Sequence, residues 1–169
     1  TSTLTNNANI LVVGESNGCV SNSNSLTFTV YGPPSVVLLN NGDLEICTGE
    51  NTDLTALGSV NYQFFVNGLP SGPIGPVNTF NSPLNNMDVV TVLGESNGCS
   101  SMSATSFTYV VYDYPTITSS TNNGTTICKD DNVDITASGA MTYDFFLNGL
   151  LIQSGVNNVL SISTLENGD

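Results

Sequence analysis

Histidine, tryptophan and arginine are all absent from this 169-residue chain, and its single basic residue, Lys129, faces fourteen acidic ones for a formal charge of −13. Each absence removes a class of function. Without histidine, the commonest general base and transition-metal ligand are missing, so Ser-His-Asp, Cys-His and histidine-based zinc sites cannot be assembled. Without a basic surface, the electrostatic attraction that dominates nucleic-acid affinity is missing, and an anionic bilayer would repel the chain. Nucleic-acid binding and polybasic membrane attachment are therefore excluded. No apolar run reaches membrane-spanning length, so direct membrane insertion is not expected in this segment. No initiating methionine or signal peptide opens the chain, which reads as a segment of something longer.

The polar quota is filled by serine, threonine and asparagine, while valine, tyrosine, phenylalanine and threonine dominate the apolar runs. These are strand formers rather than helix formers. Seven Asn-Gly pairs, starting at Asn17, Asn41, Asn67, Asn97, Asn123, Asn148 and Asn167, supply the positive-φ residues that tight hairpins need. The fold expected is all-β. Regularly spaced aliphatic and aromatic residues argue against disorder, because they can bury a core.

The strongest signal is internal repetition. Gly14-Glu15-Ser16-Asn17-Gly18-Cys19 recurs unchanged as Gly94-Glu95-Ser96-Asn97-Gly98-Cys99, 80 residues later. A second block, Ile46-Cys47 through Asn51, Asp53, Thr55-Ala56, Gly58, Tyr62, Phe64-Phe65 and Asn67-Gly68, returns at Ile127-Cys128 to Asn148-Gly149 with an offset of 81. A period this long suits one small β-sandwich per repeat. Tyr31 and Pro34 match Tyr112 and Pro115, which sets three domains: 1–31, the last strands of a preceding repeat; 32–113, a complete repeat; and 114–169, the first part of a following one. Leu165 to Asp169 align with Leu84 to Asp88, immediately before a strand.

Alternation places strands in the complete repeat at Val36–Leu39, Thr52–Leu57, Tyr62–Val66, Val77–Phe80, Asp88–Gly94 and Ser106–Tyr112, about seven short strands in all. Leu54, Phe64, Val66, Val90 and Val92 are expected to share one core between two facing sheets. Asn97-Gly98 is expected to form a two-residue turn that sets Ser96 opposite Cys99.

The order Ile-Cys-x-Gly-x-x-x-x-Leu-x-Ala over Ile46–Ala56, the aromatic strand ending in Asn67-Gly68, the Asp88-Val-Val-Thr-Val run and Asn97-Gly98-Cys99 together resemble the immunoglobulin-like or PKD-like repeats of Bacteroidota cell-surface proteins. The giant gliding-motility adhesins of flavobacteria are the nearest example. The resemblance covers the whole chain as one full and two partial repeats. The chain departs from it where Phe64 and Phe145 stand in place of a frequent tryptophan, and where Ile127-Cys128-Lys129-Asp130 lacks the glycine. What it implies is an exported, extracellular protein of tandem Ig-like (PKD-like) β-sandwich repeats, each of 80–81 residues, serving adhesion or acting as a stalk. It implies no catalytic residue.

Cys19, Cys47, Cys99 and Cys128 fall at equivalent places in the repeats, and an exported acidic chain is the usual setting for disulfides. Cys47 with Cys99 is one pairing. In an Ig-like topology, however, the two sit at opposite ends of a strand spanning roughly 25 Å, whereas bridged Cα atoms lie within about 7 Å. A bridge from the end of one repeat to the facing hairpin of the next fits better; Cys47 and Cys128 would then face downstream partners, and Cys19 and Cys99 upstream ones.

Asp130, Asp131 and Asp134 form the densest acidic cluster, and Asp113 lies at a domain joint. Both are candidate Ca²⁺ positions, but the regular Asp-x-Asp-x-Asp-Gly loop is missing and a solvated turn explains the cluster as well. Tyr62, Phe64 and Phe65, with Tyr143, Phe145 and Phe146, suggest a sugar-stacking platform or, by their alternation, a core; Phe65 and Phe146 are the members out of phase. Asn123-Gly124-Thr125 is a glycosylation-type sequon. No cofactor and no enzymatic activity are expected.

Three functional readings follow. The first is a cell-surface adhesin or stalk whose repeats act as an extended spacer. The second is a self-assembling extracellular filament in which residues 1–31 of one subunit complete the 114–169 domain of the next. The third is a carbohydrate-binding module. The partners expected are neighbouring repeats of the same chain, identical subunits, or surface polysaccharide and other cell-surface components.

Overall fold

Four of the seven Asn-Gly pairs, at Asn17, Asn67, Asn97 and Asn148, hold both residues at positive φ, the geometry of the two-residue hairpin turn whose twist matches the flanking strands. These turns organise an all-β chain. A computed structural model describes residues 3–168; Thr1, Ser2 and Asp169, the last of them expected to match Asp88, lie outside the described residues. Among the described residues there are nineteen strands and no helix. The chain divides into two units, Thr1–Tyr112 and Asp113–Asp169.

The first unit opens with β1 (Ala8–Ile10), β2 (Val13–Ser16), β3 (Cys19–Asn22) and β4 (Leu26–Phe28), which form two antiparallel ribbons, β1 with β4 and β2 with β3. Residues 1–31 thus belong to the same unit as the complete repeat, although their strands pair only among themselves. The complete repeat follows as β5 (Val37–Asn40), β6 (Glu45–Cys47), β7 (Leu54–Leu57), β8 (Asn61–Val66), β9 (Leu69–Gly75), β10 (Thr79–Phe80), β11 (Val89–Ser96), β12 (Cys99–Met102), β13 (Phe107–Thr108) and β14 (Val110–Tyr112). One sheet runs β10-β7-β5, a second runs β12-β11-β8-β9 with β13 also on β11, and β14 pairs in parallel with β6.

Alternation along these strands builds a β-sandwich-like core. Leu38, Leu54, Ala56 and Phe80 come from the first sheet, and Tyr62, Phe64, Val90 and Val92 from the second, all in one buried cluster with Tyr109, Leu84, Val36 and Ile46. Of the five expected core residues, Leu54, Phe64, Val90 and Val92 are buried, and Val66 packs at the margin. Phe64 and Phe80 meet with ring centroids 5.4 Å apart, within the range for favourable aromatic pairs.

About seven strands were expected in the complete repeat and ten form, among them β6, which lies outside every expected run and is held by its parallel pairing with β14. Two further expectations change. The run Ser106–Tyr112 is not one strand: Tyr109 interrupts it, turning its fully buried ring into the core while its N–H donates to the Asp88 carbonyl at 3.0 Å. The seven-residue β9, which contains Pro70, Gly72 and Pro73, lies outside the expected strand runs. It stands because it is an edge strand, where a missing N–H costs nothing, and its register shifts between Tyr62 and Phe64 to absorb the irregularity.

The second unit contains β15 (Thr118–Thr121), β16 (Val133–Ser138), β17 (Tyr143–Leu147), β18 (Leu150–Gly155) and β19 (Val159–Ile162). Its sheets, β15-β16-β19 and β17-β18, repeat the β5-β7-β10 and β8-β9 pairings 81 residues later. Val133 and Ala137 are buried, as Thr52 and Ala56 are in the first unit.

Candidate functional site

The residues that recur between repeats hold the same local structures. Gly58 and Gly139, 81 residues apart, have φ of 91° and 99°; a Cβ on either would lie within 1.9 Å of a carbonyl oxygen, Ser35 O or Thr116 O. Only glycine fits such an approach. The Tyr62 hydroxyl donates to Ser59 O (2.7 Å) and accepts from Ser59 N (2.9 Å), and the Tyr143 hydroxyl does the same with Ala140 at 2.7 and 3.0 Å. The first segment matches the close of the complete repeat in the same way. Val30 N donates to Asn6 Oδ1 at 3.1 Å, as Val111 N does to Asn86 Oδ1. Asn7 N reaches Phe28 O at 3.0 Å, as Met87 N reaches Tyr109 O at 2.9 Å. Recurrence therefore extends from sequence to individual hydrogen bonds.

The cysteines sit at the ends of the repeat. Cys47 ends β6 and is the register partner of Tyr112 on β14, whose carbonyl accepts from Thr48 N at 2.8 Å. The Cys47 N–H donates to Glu50 Oε2 at 2.8 Å, and in the second unit Cys128 N donates to Asp131 Oδ2 at 2.9 Å. A carboxylate three residues on thus closes the cysteine turn in both units. Cys99 follows the Asn97-Gly98 turn opposite Ser96, as expected, and its Sγ lies 3.5 Å from Tyr31 O. Cys19 holds the matching place on β3 and is exposed. All four are free thiols.

Cys47 and Cys99 are not brought together. Cys99 adjoins the Ser96 end of β11, while Tyr112, the partner of Cys47, follows β13, whose Thr108 pairs with Val89 at the other end. Seven strand steps separate those ends, roughly 23 Å.

The acidic candidates serve local structure. Asp131 closes the Cys128 turn, Asp130 takes its left-handed position with φ 67°, and Asp134 Oδ1 accepts from Ser161 Oγ and from Asn132 Nδ2 at 3.4 Å. Asp113 begins the second unit. Among the described residues no cluster of three or more cysteines or carboxylates has the geometry to hold a metal ion.

The aromatic candidates divide as their phase requires. Tyr62 and Phe64 are core, Phe65 is half-buried, and Tyr143 and Phe145 are half-buried with ring centroids 6.5 Å apart; Phe146 is 61% exposed. Asn123, the sequon residue, donates through Nδ2 to Asn132 O at 3.1 Å.

Two groups with displaced titration are structural. The Asn85 backbone N–H at 2.8 Å holds the Asp88 carboxyl below the usual range, opposed by burial and helped by the Asn67 side chain at 2.6 Å and that of Asn85. Burial, with a smaller contribution from Asp53, raises the Tyr109 phenol, whose hydroxyl donates to Asn40 Oδ1 at 2.8 Å. The importance of Tyr109 was not read from the sequence, where it lay inside a presumed strand. Glu50 was not singled out and Asp131 only as a Ca²⁺ candidate, although an acid at both places, 81 residues apart, was the available signal for their shared turn role.

No family model and no curated protein matches the chain. No helix among the described residues is long and apolar enough to cross a membrane.

Proposed function

We propose that this chain is a repeat segment of an exported cell-surface adhesin or stalk, in which tandem Ig-like (PKD-like) β-sandwich repeats act as an extended spacer and scaffold. The observation that carries the reading is the recurrence, at the 81-residue period, of the Gly58 and Gly139 close approach, the Tyr62 and Tyr143 turn bonds and the Cys47 and Cys128 turns. Independent sites of one domain have no reason to repeat at that spacing; copies of one domain do. The charge of −13 supports an extended, unbundled array, because like charge along it opposes lateral association. Neighbouring repeats are the first partners, and the reading assigns no catalytic step. The test is the intact mass of native material released from the cell surface, measured non-reduced and reduced. A covalent chain much longer than 17.6 kDa that survives reduction is expected. A 17.6 kDa subunit that elongates only by association would overturn it.

That second outcome is the result expected from strand complementation, and one observation favours it as an alternative. Ile10 and Val12 hold the sequence places of Val90 and Val92, yet they are 40% and 62% exposed where Val90 and Val92 are fully buried. The second unit has a recess lined by Thr125–Lys129 and Leu165–Gly168, beside the segment equivalent to β6. Residues 1–31 of a second copy would supply the strands that complete the 114–169 domain.

A further inference from the structure

We infer that the joint between consecutive repeats is a disulfide site: Cys99 is built to bridge to the cysteine that holds the place of Cys47 in the repeat preceding it. The inference rests on the tandem-repeat part of the proposed function and is independent of any adhesive role.

Two observations on different parts of the molecule concern equivalent carbonyl oxygens one repeat apart, Tyr112 O and Tyr31 O. In the complete repeat, Cys47 is the register partner of Tyr112, and the next residue, Thr48, donates to the Tyr112 carbonyl through both its backbone N–H (2.8 Å) and its Oγ1 (3.2 Å). The cysteine turn is thus fixed against the last tyrosine of its own repeat. Tyr31 is that tyrosine one repeat earlier, and the Sγ of Cys99, from the hairpin of the following repeat, lies 3.5 Å from its carbonyl oxygen. A preceding copy of β6, paired with residues 29–31 as β6 pairs with β14, would set its cysteine one strand spacing from Tyr31, about 5 Å. Cys99 approaches the same peptide from the other repeat. Both cysteines are thereby brought beside one residue, Tyr31, and a disulfide would close there if their Cα atoms settle about 4.4 to 6.8 Å apart.

The geometry also separates this pairing from its rivals. Within the repeat, Cys47 and Cys99 stand a full length of β11 apart. Cys19 belongs to the hairpin at the far end of its own repeat and would face a still earlier one. Cys99 is half-buried with its Sγ 3.5 Å from Tyr31 O, and Cys19 is exposed. Glu50, accepting from the Cys47 backbone N–H at 2.8 Å, closes the turn that carries the thiol.

The bond forms by thiol–disulfide exchange with a donor disulfide, either an oxidoreductase of the export route or oxidised glutathione in vitro. One cysteine thiolate attacks the donor, releasing one donor thiol and leaving a mixed disulfide. The second thiolate displaces the other donor thiol. The protein loses two hydrogens and two electrons, and the donor gains them.

The test adds to the full chain, carrying Cys47→Ser so that only the added copy keeps that cysteine, a copy of its own residues 33–80 fused ahead of Thr1, so that the first segment becomes the end of a whole repeat and the native 31–34 joint is kept. After exposure to a glutathione redox buffer, residual thiols are alkylated and the non-reduced digest is analysed by mass spectrometry. The expected result is one linkage, between the added cysteine and Cys99, lost in Cys99→Ser. A linkage between the added cysteine and Cys19, or none in a tandem chain whose circular dichroism shows the β fold, overturns the inference. The unmodified chain gives an independent arm if the tandem chain does not fold. In the same buffer Cys47 and Cys99 are expected to be recovered separately, and a Cys47–Cys99 disulfide overturns the inference. Neither arm depends on the native chain length or surface location, so its failure leaves the proposed function standing.

Discussion

Gly14 and Gly94 begin identical hexapeptides and occupy matching positions in matching hairpins, paired with Ser21 and Ser101. Their surroundings differ. Gly94 also pairs with Tyr62 on β8, and a Cβ placed on it would lie 2.5 Å from Val36 Cγ2 and 2.7 Å from Ser59 Cβ; a Cβ on Gly14 would meet nothing within 4 Å. Carbon atoms rest about 3.5–4.0 Å apart, so Gly94→Ala overlaps two side chains by about an ångström. Neither can withdraw freely, since Val36 is in the core and Ser59 Oγ is bonded to Ser96 Oγ at 3.1 Å. Overpacking of this kind costs about 1–3 kcal/mol, while replacing a strand glycine by alanine returns roughly 0.5–1 kcal/mol of backbone entropy. Gly14→Ala is therefore expected to be neutral or slightly stabilising, and Gly94→Ala to lower stability by up to about 2.5 kcal/mol. For a domain of this size each 1 kcal/mol moves Tm by about 4–8 °C. Thermal unfolding of the first unit, followed by circular dichroism, reads the difference directly. Equal shifts for the two alanines would refute the packing argument, because the local sequences are the same.

Tyr109→Phe leaves Asn40 Oδ1 without its buried donor and is expected to cost about 1–3 kcal/mol in urea denaturation. Because folding raises the Tyr109 pKa, its stabilising contribution is complete below the unfolded phenol value and is lost as pH rises through the higher folded one; wild type should weaken above about pH 10 more steeply than Tyr109→Phe. Asp88 has the opposite sign: folding lowers its pKa, so its contribution is present above the unfolded carboxylate value near 3.8 and is lost as pH falls through the folded one. Asp88→Asn should flatten the acid limb of a stability–pH curve, and an unchanged limb would remove Asp88 from the account. Gly58→Ala and Gly139→Ala each force a side chain into a left-handed position against a carbonyl oxygen, at about 1–3 kcal/mol from the backbone alone. Hydrogen exchange should show the first loosening residues around Ser35 and the second those around Thr116.

The proposed stalk and the inferred joint disulfide make different demands on the same repeat. A spacer needs only that each sandwich fold and follow the next. A staple between Cys99 and the preceding cysteine would restrict bending at the joint without changing the core. The exchange of Glu50 for Asp131 between repeats keeps the cysteine turn bonded, which shows that the turn tolerates a shorter side chain as long as the carboxylate remains.

The sequence by itself determined the class and the period. Strand-forming residues with Asn-Gly turns favour an all-β chain over a helical or disordered one, and hairpin register is a local matter, so the Ser96–Cys99 pairing and the burial of Leu54, Phe64, Val90 and Val92 were legible from alternation and turn chemistry. Charge and the missing histidine limited the chemistry before any fold was known. Tertiary structure decided what depends on residues distant in sequence. Tyr109 leaves its strand because the core has room for its ring and Asn40 offers a partner 69 residues away. The Pro- and Gly-rich β9 is a strand because its place at a sheet edge removes the cost of proline. Gly14 and Gly94 differ through the β8 pairing of Gly94 and through Val36 and Ser59, which no window of local sequence contains. The separation of Cys47 from Cys99, and the approach of Cys99 to Tyr31, follow from the direction and length of β11 and the pairing of β6 with β14. Spacing along a chain fixes neither, because strands that are adjacent in sequence need not be adjacent in space.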